Sequence, residues 1–182
     1  NGESGNFEVE LKILADVGLV GMPNAGKSTL LSVLSAARPK IAEYPFTTLE
    51  PQLGIVKYGE YESFVMADIP GLIEGASTGK GLGHQFLRHI ERNRIHVYLI
   101  DSQEERPFAT FKTLNNELKG FNESLVNKPY IICRTKSDLK TEISSGWNDF
   151  SENIIDISSV SQEGLDKLVN SLVKLLKQNI NE

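Results

Sequence analysis

The sequence predicts an α/β domain built on a doubly wound, mostly parallel six-stranded sheet flanked by helices. Three observations predict it. An apolar run, "ADVGLVG" (15–21), enters the glycine loop "GMPNAGKS" (21–28), and a stretch of helical period follows. The second half then alternates short β-branched runs with amphipathic segments, as a parallel sheet with crossover helices requires. Finally, 182 residues, 40% hydrophobic and 24% charged, suffice for one domain with a full core.

The elements follow in order. Residues 1–10 are expected to be a linker, the remnant of an absent N-terminal domain, and residues 11–182 the domain proper. After the first strand, "STLLSVLSAA" (28–37) puts Leu30, Leu31, Leu34 and Ala37 on one helical face, and Pro39 marks its end. A Pro/Thr-rich loop, "EYPFTTLEPQLG" (43–54), comes next. "GIVKY" (54–58) and "SFVMADI" (63–69) read as paired strands around the turn "GEYE". "GLGHQFLRHIERN" (81–93) places Leu82, Phe86, Leu87 and Ile90 on one helical face. "IHVYLID" (95–101), "PYIICRT" (129–135) and "NIIDIS" (153–158) are the remaining strands; "TFKTLNNELKGF" (110–121) and "GLDKLVNSLVKLLKQ" (164–178) are helices. Right-handed crossovers put the strand C-termini, and the loops after them, along one edge, where a ligand belongs.

Composition bounds the chemistry. A net charge of −5 argues against binding nucleic acid through the overall field. The single cysteine, Cys133, excludes an internal disulfide and fits a reducing cytoplasm. No apolar run approaches the roughly 20 residues of a membrane span, and the first residues lack the basic and apolar regions of a leader.

"GMPNAGKS" satisfies G-x-x-x-x-G-K-[ST] at every specified position. Gly21 and Gly26 let bare backbone wrap phosphates, and the next helix offers them its positive end. Lys27 reaches the β- and γ-phosphates, and Ser28 joins the shell of Mg²⁺. The strand ending at Asp68 places an acid beside that metal. Gly71 can give its amide to a γ-phosphate, and one hydroxyl of Thr47 or Thr48 can reach Mg²⁺ only while that phosphate is present. In "TKSD" (135–138), Asp138 can accept from the N1–H and 2-amino group of guanine, donors adenine lacks, while the Lys136 stem lies over the base. Backbone amides of "SSV" (158–160) can meet the guanine O6.

Together these stretches resemble a P-loop NTPase G domain of the Obg family, the ribosome-associated GTPases. The agreement runs through "ELKILADVGLVGMPNAGKSTLLS", "PKIAEYPFTTLEPQLGIV", "ADIPGLIEGASTGKGLGHQFLRHIER" and "SSVSQEGLDKL". The resemblance implies nucleotide contacts from Gly21, Met22, Pro23, Asn24, Ala25, Gly26, Lys27 and Ser28. It adds Phe46, Thr47, Thr48, Leu49 and Glu50 in the first switch loop and Asp68, Ile69, Pro70 and Gly71 in the second. Thr135, Lys136, Ser137, Asp138, Ser158, Ser159 and Val160 complete the set on the base side. It implies metal ligation by Ser28 and Thr48 with Asp68 orienting the shell, and it implies a monomeric cytoplasmic protein that binds GTP and GDP and engages the large ribosomal subunit. Two departures stand out. Thr135 replaces the usual Asn, and its hydroxyl cannot duplicate an amide's donor and acceptor; Ser159 stands where alanine is commoner.

Leu72 occupies the place where many such enzymes carry a water-orienting glutamine. Lys27, Asn24, Thr48 and Gly71 are then the expected catalytic set, with help from a K⁺ ion near Asn24 or from the ribosome. Slow turnover follows, ~10⁻⁴ to 10⁻² s⁻¹. A non-hydrolysing sensor of GDP, GTP or an alarmone also fits Leu72, whereas an adenine-specific ATPase or kinase is opposed by Asp138. Arg38 reads as a solvated arginine at a helix end rather than a catalytic finger. His84 and His89 are out of phase for a metal pair. The cluster "RHIERNR" (88–94) reads as a solvated helix face, and Cys133 as core packing.

Overall fold

The structure is a computed structural model that describes residues 15–41, 51–68, 93–139, 142 and 144–178. Its seven strands are β1 (Val17–Gly21), β2 (Lys40–Ile41), β3 (Gln52–Lys57), β4 (Ser63–Asp68), β5 (Ile95–Asp101), β6 (Tyr130–Thr135) and β7 (Ile154–Asp156). They form one sheet in the order β2-β3-β4-β1-β5-β6-β7. The pairs β2–β3 and β3–β4 are antiparallel, while β4–β1, β1–β5, β5–β6 and β6–β7 are parallel. The described helices are α1 (Lys27–Leu34), α2 (Pro107–Phe121), α3 (Glu123–Val126) and α4 (Leu165–Gln178), with a 3₁₀ turn at Ser145–Asp149.

β1 lies between β4 and β5, so the chain leaves it first to one side and later to the other. Its C-terminal end is therefore the topological switch point where α/β sheets bind ligands. All five residues of β1 are buried, as a strand covered on both faces must be. Val17 and Leu19 pack with Leu30, Leu31, Leu168 and Leu172 on the α1/α4 side. Val20 packs with Tyr98, Leu114, Leu118 and Trp147 on the α2 side. The pleat divides them because alternate side chains leave opposite faces.

Two expectations need correction. The sheet has seven strands rather than six: Lys40 and Ile41 pair with Leu53 and Gln52. This strand is two residues long and exposed, so it carries no alternation to read. The first helix stops at Leu34 rather than near Ala37. Ser35 turns extended at φ −71°, ψ 132°, and bridges to Val56, and the Ala36 amide donates to the Ile55 carbonyl. Pairing with β3 captures the chain three residues before helical propensity fails. The helix expected over 81–93 lies outside the described residues except for Asn93. α2 begins at Pro107, where a fixed φ suits the first helical position. In α4, Leu165, Leu168, Leu172 and Leu176 form the buried stripe that the spacing predicts.

Candidate functional site

The loop leaving β1 is held by its own backbone. Gly21 must be glycine: a Cβ there would stand 2.7 Å from the Leu99 carbonyl oxygen of β5. The Ala25 amide donates to the Met22 carbonyl at 3.1 Å, with Asn24 left-handed at φ 63° and Gly26 at φ 93°. Gly26 caps α1 without a side-chain hydrogen bond, and the first turn carries no acid. The amides opening α1 and the helix dipole therefore face the loop uncompensated by any anionic side chain of that turn.

The Lys27 ammonium folds back over this loop and donates to the carbonyl oxygens of Gly21 (2.8 Å) and Met22 (3.0 Å). Burial lowers its pKa, and the negative charge of Asp68 opposes that shift. Register brings Asp68 here: β1 pairs Leu19 with Asp68 at the end of β4. The Ser28 hydroxyl donates to Asp68 Oδ2 at 2.5 Å. Asp68 is only 5% exposed, and its Oδ1 is buried without a hydrogen-bond partner among the described residues. A buried anionic oxygen beside a hydroxyl, both hard ligands, fits a divalent cation such as Mg²⁺.

The segment expected to meet the base is built where β6 ends. Thr135 is 4% exposed, and its hydroxyl donates back to the Ile100 carbonyl at 3.3 Å. Lys136 follows at φ 57°, with its ammonium paired to Asp101 Oδ2 at 2.5 Å. The Ser137 amide donates to Ile157 O and the Leu139 amide to Lys136 O, closing the turn that carries Asp138. Ser158 is fully buried; its amide is committed to Glu163 O, and its hydroxyl accepts from the Ser161 amide. Of the three amides expected to meet a guanine O6, that of Ser158 is thus already engaged, which leaves those of Ser159 and Val160.

A cleft of about 210 Å³ joins the two halves, lined by Gly26, Thr29, Thr135, Lys136, Asp138, Leu139, Ser159 and Val160. The glycine loop and both segments expected to meet the base, over 130 positions apart at their extremes in sequence (Gly26 and Val160), therefore open on one space. Sequence reasoning missed Thr29 and Leu139 in this lining, and Asp101 beside it. A strand-end acid in "YLID" was the available signal for Asp101. Phe46, Thr47, Thr48, Leu49 and Glu50, and likewise Ile69, Pro70, Gly71 and Leu72, lie outside the described residues. So do His84 and His89.

Other sequence expectations resolve as follows. Cys133 is fully buried between Leu99 and Ile155, and burial pushes its thiol pKa up, so it is packing and not a nucleophile. Arg38 is exposed but lies beyond the end of α1, so the reading as a helix-end arginine is corrected: the helix is shorter than its sequence suggests. Arg94, the described arginine of the basic cluster, donates to the Leu176 carbonyl of α4 at 2.9 Å and faces Asp16 at 4.0 Å. It is a structural tie rather than part of a solvated face. No described helix is long and apolar enough to cross a membrane.

Comparison with known proteins bears on the family and the fold. Residues 16–136 match the family model described as "50S ribosome-binding GTPase". GTPase Obg of Prosthecochloris aestuarii is 55% identical over 98% of this chain and 55% of its own length. GTPase Obg of Desulforudis audaxviator is 50% identical over 97% of this chain and 43% of its own. The chain spans about half the length of the curated relatives it matches. Among solved structures, a nucleolar GTP-binding protein 1 of Plasmodium falciparum superposes with TM-score 0.68 at 19% identity, covering 94% of this chain and 91% of that one. The G domain of the T. maritima FeoB iron transporter superposes with TM-score 0.66 at 22% identity, covering 90% and 99%. These two establish the G-domain fold alone. With the family model spanning most of the chain and Obg relatives agreeing along nearly all of it, the chain belongs to the 50S ribosome-binding GTPase family and is of the Obg type.

Proposed function

We propose that this domain is a Mg²⁺-dependent guanine-nucleotide switch that hydrolyses GTP slowly to GDP and phosphate. The observation that carries the reading is the Ser28–Asp68 contact with its unpartnered carboxylate oxygen, beside the loop that shares a cleft with Asp138. Ser28 and Asp68 would hold the cation, with Thr48 completing the set; when bound, it neutralises phosphate charge. Lys27 already sits over the loop and has only to exchange two carbonyl partners for phosphate oxygens. The Gly26-capped amides of α1 stabilise negative charge at the same place. Asp138 selects guanine through two donors that adenine lacks, and Gly71 offers its amide to the γ-phosphate.

Leu72 cannot orient water, so the nucleophile needs help from K⁺ near the exposed tip residue Asn24, or from a partner in trans. The large ribosomal subunit is that partner in our reading, supported by the description of the matched family. Action in the cytoplasm, as a monomer, during subunit assembly or stress belongs to the same proposal. The test is GTP turnover by the purified domain in KCl and in NaCl, with nucleotide affinity measured on the same samples. Acceleration by K⁺ at unchanged affinity assigns the help to the ion. Equal, negligible rates in both salts at intact affinity favour a nucleotide sensor or a partner-dependent enzyme, which single turnover with ribosomes separates. Absence of guanine-nucleotide binding overturns the reading.

A further inference from the structure

The base loop has an attachment that its own motif does not provide. Thr135 stands where an asparagine amide would reach toward the nucleotide side, and its hydroxyl points back into the sheet, at the Ile100 carbonyl. Lys136 is then left-handed at φ 57°, a conformation that is strained for a side-chain-bearing residue and persists only when its surroundings hold it. What holds it comes from the end of β5. The Ser102 amide donates to the Thr135 carbonyl at 2.9 Å, and the Ser102 hydroxyl donates to the Lys136 carbonyl at 3.0 Å. Asp101 uses both carboxylate oxygens: Oδ1 accepts the Gln103 amide at 3.0 Å, which fixes its direction, and Oδ2 takes the Lys136 ammonium at 2.5 Å. Ser102 is 5% exposed, so its bonds are shielded from competing water.

We propose that Asp101 and Ser102 are positioning residues for guanine-nucleotide binding, holding the 136–138 loop in the pose that the Thr135 side chain cannot hold. This inference rests on the guanine reading above and extends it. With its ammonium fixed on Asp101, Lys136 is held as a wall of the cleft it shares with Asp138, and its methylene stem is available to cover a base. Because Ser102 holds the Lys136 carbonyl and Asp101 its ammonium, backbone and side chain are fixed separately. Asp138, two residues on, inherits that placement.

The test is GDP affinity for Asp101→Asn and Ser102→Ala, each with Thr135 and with Thr135→Asn. Tripolyphosphate affinity, which engages the phosphate loop but has no base, and the melting temperature without nucleotide are measured alongside. Asp101→Asn is expected to weaken GDP about three- to tenfold while tripolyphosphate stays within about twofold. Asp101→Glu recovers part of the loss, and Thr135→Asn reduces the penalty of both variants. The proposal is overturned if GDP affinity is unchanged, if tripolyphosphate falls in step with GDP, or if Thr135→Asn rescues nothing. Asp138→Asn separates the two levels. Loss of GDP binding in Asp138→Asn alone keeps the guanine reading and rejects the positioning role, whereas no loss in either variant rejects both.

Discussion

Gly21 and Gly26 bracket the phosphate loop for different physical reasons, and substitution distinguishes them. A Cβ on Gly21 would lie 2.7 Å from the Leu99 carbonyl oxygen, 3.2 Å from Ala25 Cβ and 3.3 Å from Leu99 Cβ. The first neighbour is strand backbone paired in register with Gly21 itself, so it cannot rotate away. Gly21→Ala must push β1 and β5 apart or displace the loop, an overpacking cost of about 1–3 kcal/mol. For a domain of this size about 2–4 °C accompanies each kcal/mol, so the nucleotide-free melting temperature should fall by about 2–12 °C. At Gly26 a Cβ meets nothing within 4 Å, but φ is 93°. There the cost is backbone strain, about 1–2 kcal/mol, and asparagine, which tolerates left-handed backbone, should relieve part of it. Thermal melts of Gly21→Ala, Gly21→Asn, Gly26→Ala and Gly26→Asn decide the matter. Asparagine should be milder than alanine at Gly26 and worse than alanine at Gly21. The same ranking at both sites, or a Gly21→Ala melt within about 1 °C of the natural protein, would refute the steric argument.

Three further outcomes are expected. Asp138→Asn should shift nucleotide preference from guanine toward xanthine, because the amide presents a donor where the carboxylate accepts; competition binding with GDP and XDP reads it directly. His96 is 1% exposed with its Nε2 unpartnered among the described residues, and burial, reinforced by the Lys128 charge, lowers its pKa to about 4 from 6.5. The folded state resists a proton that the unfolded chain accepts. Stability should therefore fall as pH drops from about 6.5 toward 4, by on the order of 3 kcal/mol in full, and urea titrations of His96→Leu should show that part of the slope removed. Leu168→Ala removes a fully buried side chain that packs α4 against the sheet and should cost about 2–5 kcal/mol in the same assay.

The sequence was most legible where one short segment dictates both structure and chemistry. The glycine loop is such a segment: its strand, its turn and the start of its helix stand where the motif requires. The α4 stripe was legible because Leu165, Leu168, Leu172 and Leu176 repeat at helical spacing. Legibility failed where the deciding partner is remote. α1 ends at Leu34 because β3 pairs with Ser35 and Ala36, which no local propensity records. β2 exists only through its partner's register. The 3₁₀ turn that buries Trp147 had no periodic signal to give. In the site, Asp68 could be placed from its strand, but the pairing of Asp101 with Lys136 depends on the β5–β6 register, Asp101 against Thr135.

The Ser28–Asp68 bond shows how little the proposed metal site would have to rearrange. Here the hydroxyl proton points at Oδ2, satisfying one oxygen of a carboxylate that burial would otherwise penalise. The other oxygen stays unpartnered among the described residues, and its burial carries a desolvation cost. A cation that drew on the Ser28 oxygen would require only that the hydroxyl turn its proton away, and the cation's charge would offset the desolvation of the carboxylate. The backbone of α1 and of β4 can stay where it is, since Ser28 lies in the first turn of α1 and Asp68 is held in register with Leu19 and Gln52. In the proposed reading, this end of the sheet would act as a preorganised frame rather than a moving part. The difference between GTP and GDP then falls to the terminal-phosphate contacts expected of Thr48 and Gly71, which lie outside the described residues, and not to the frame that holds Ser28 and Asp68.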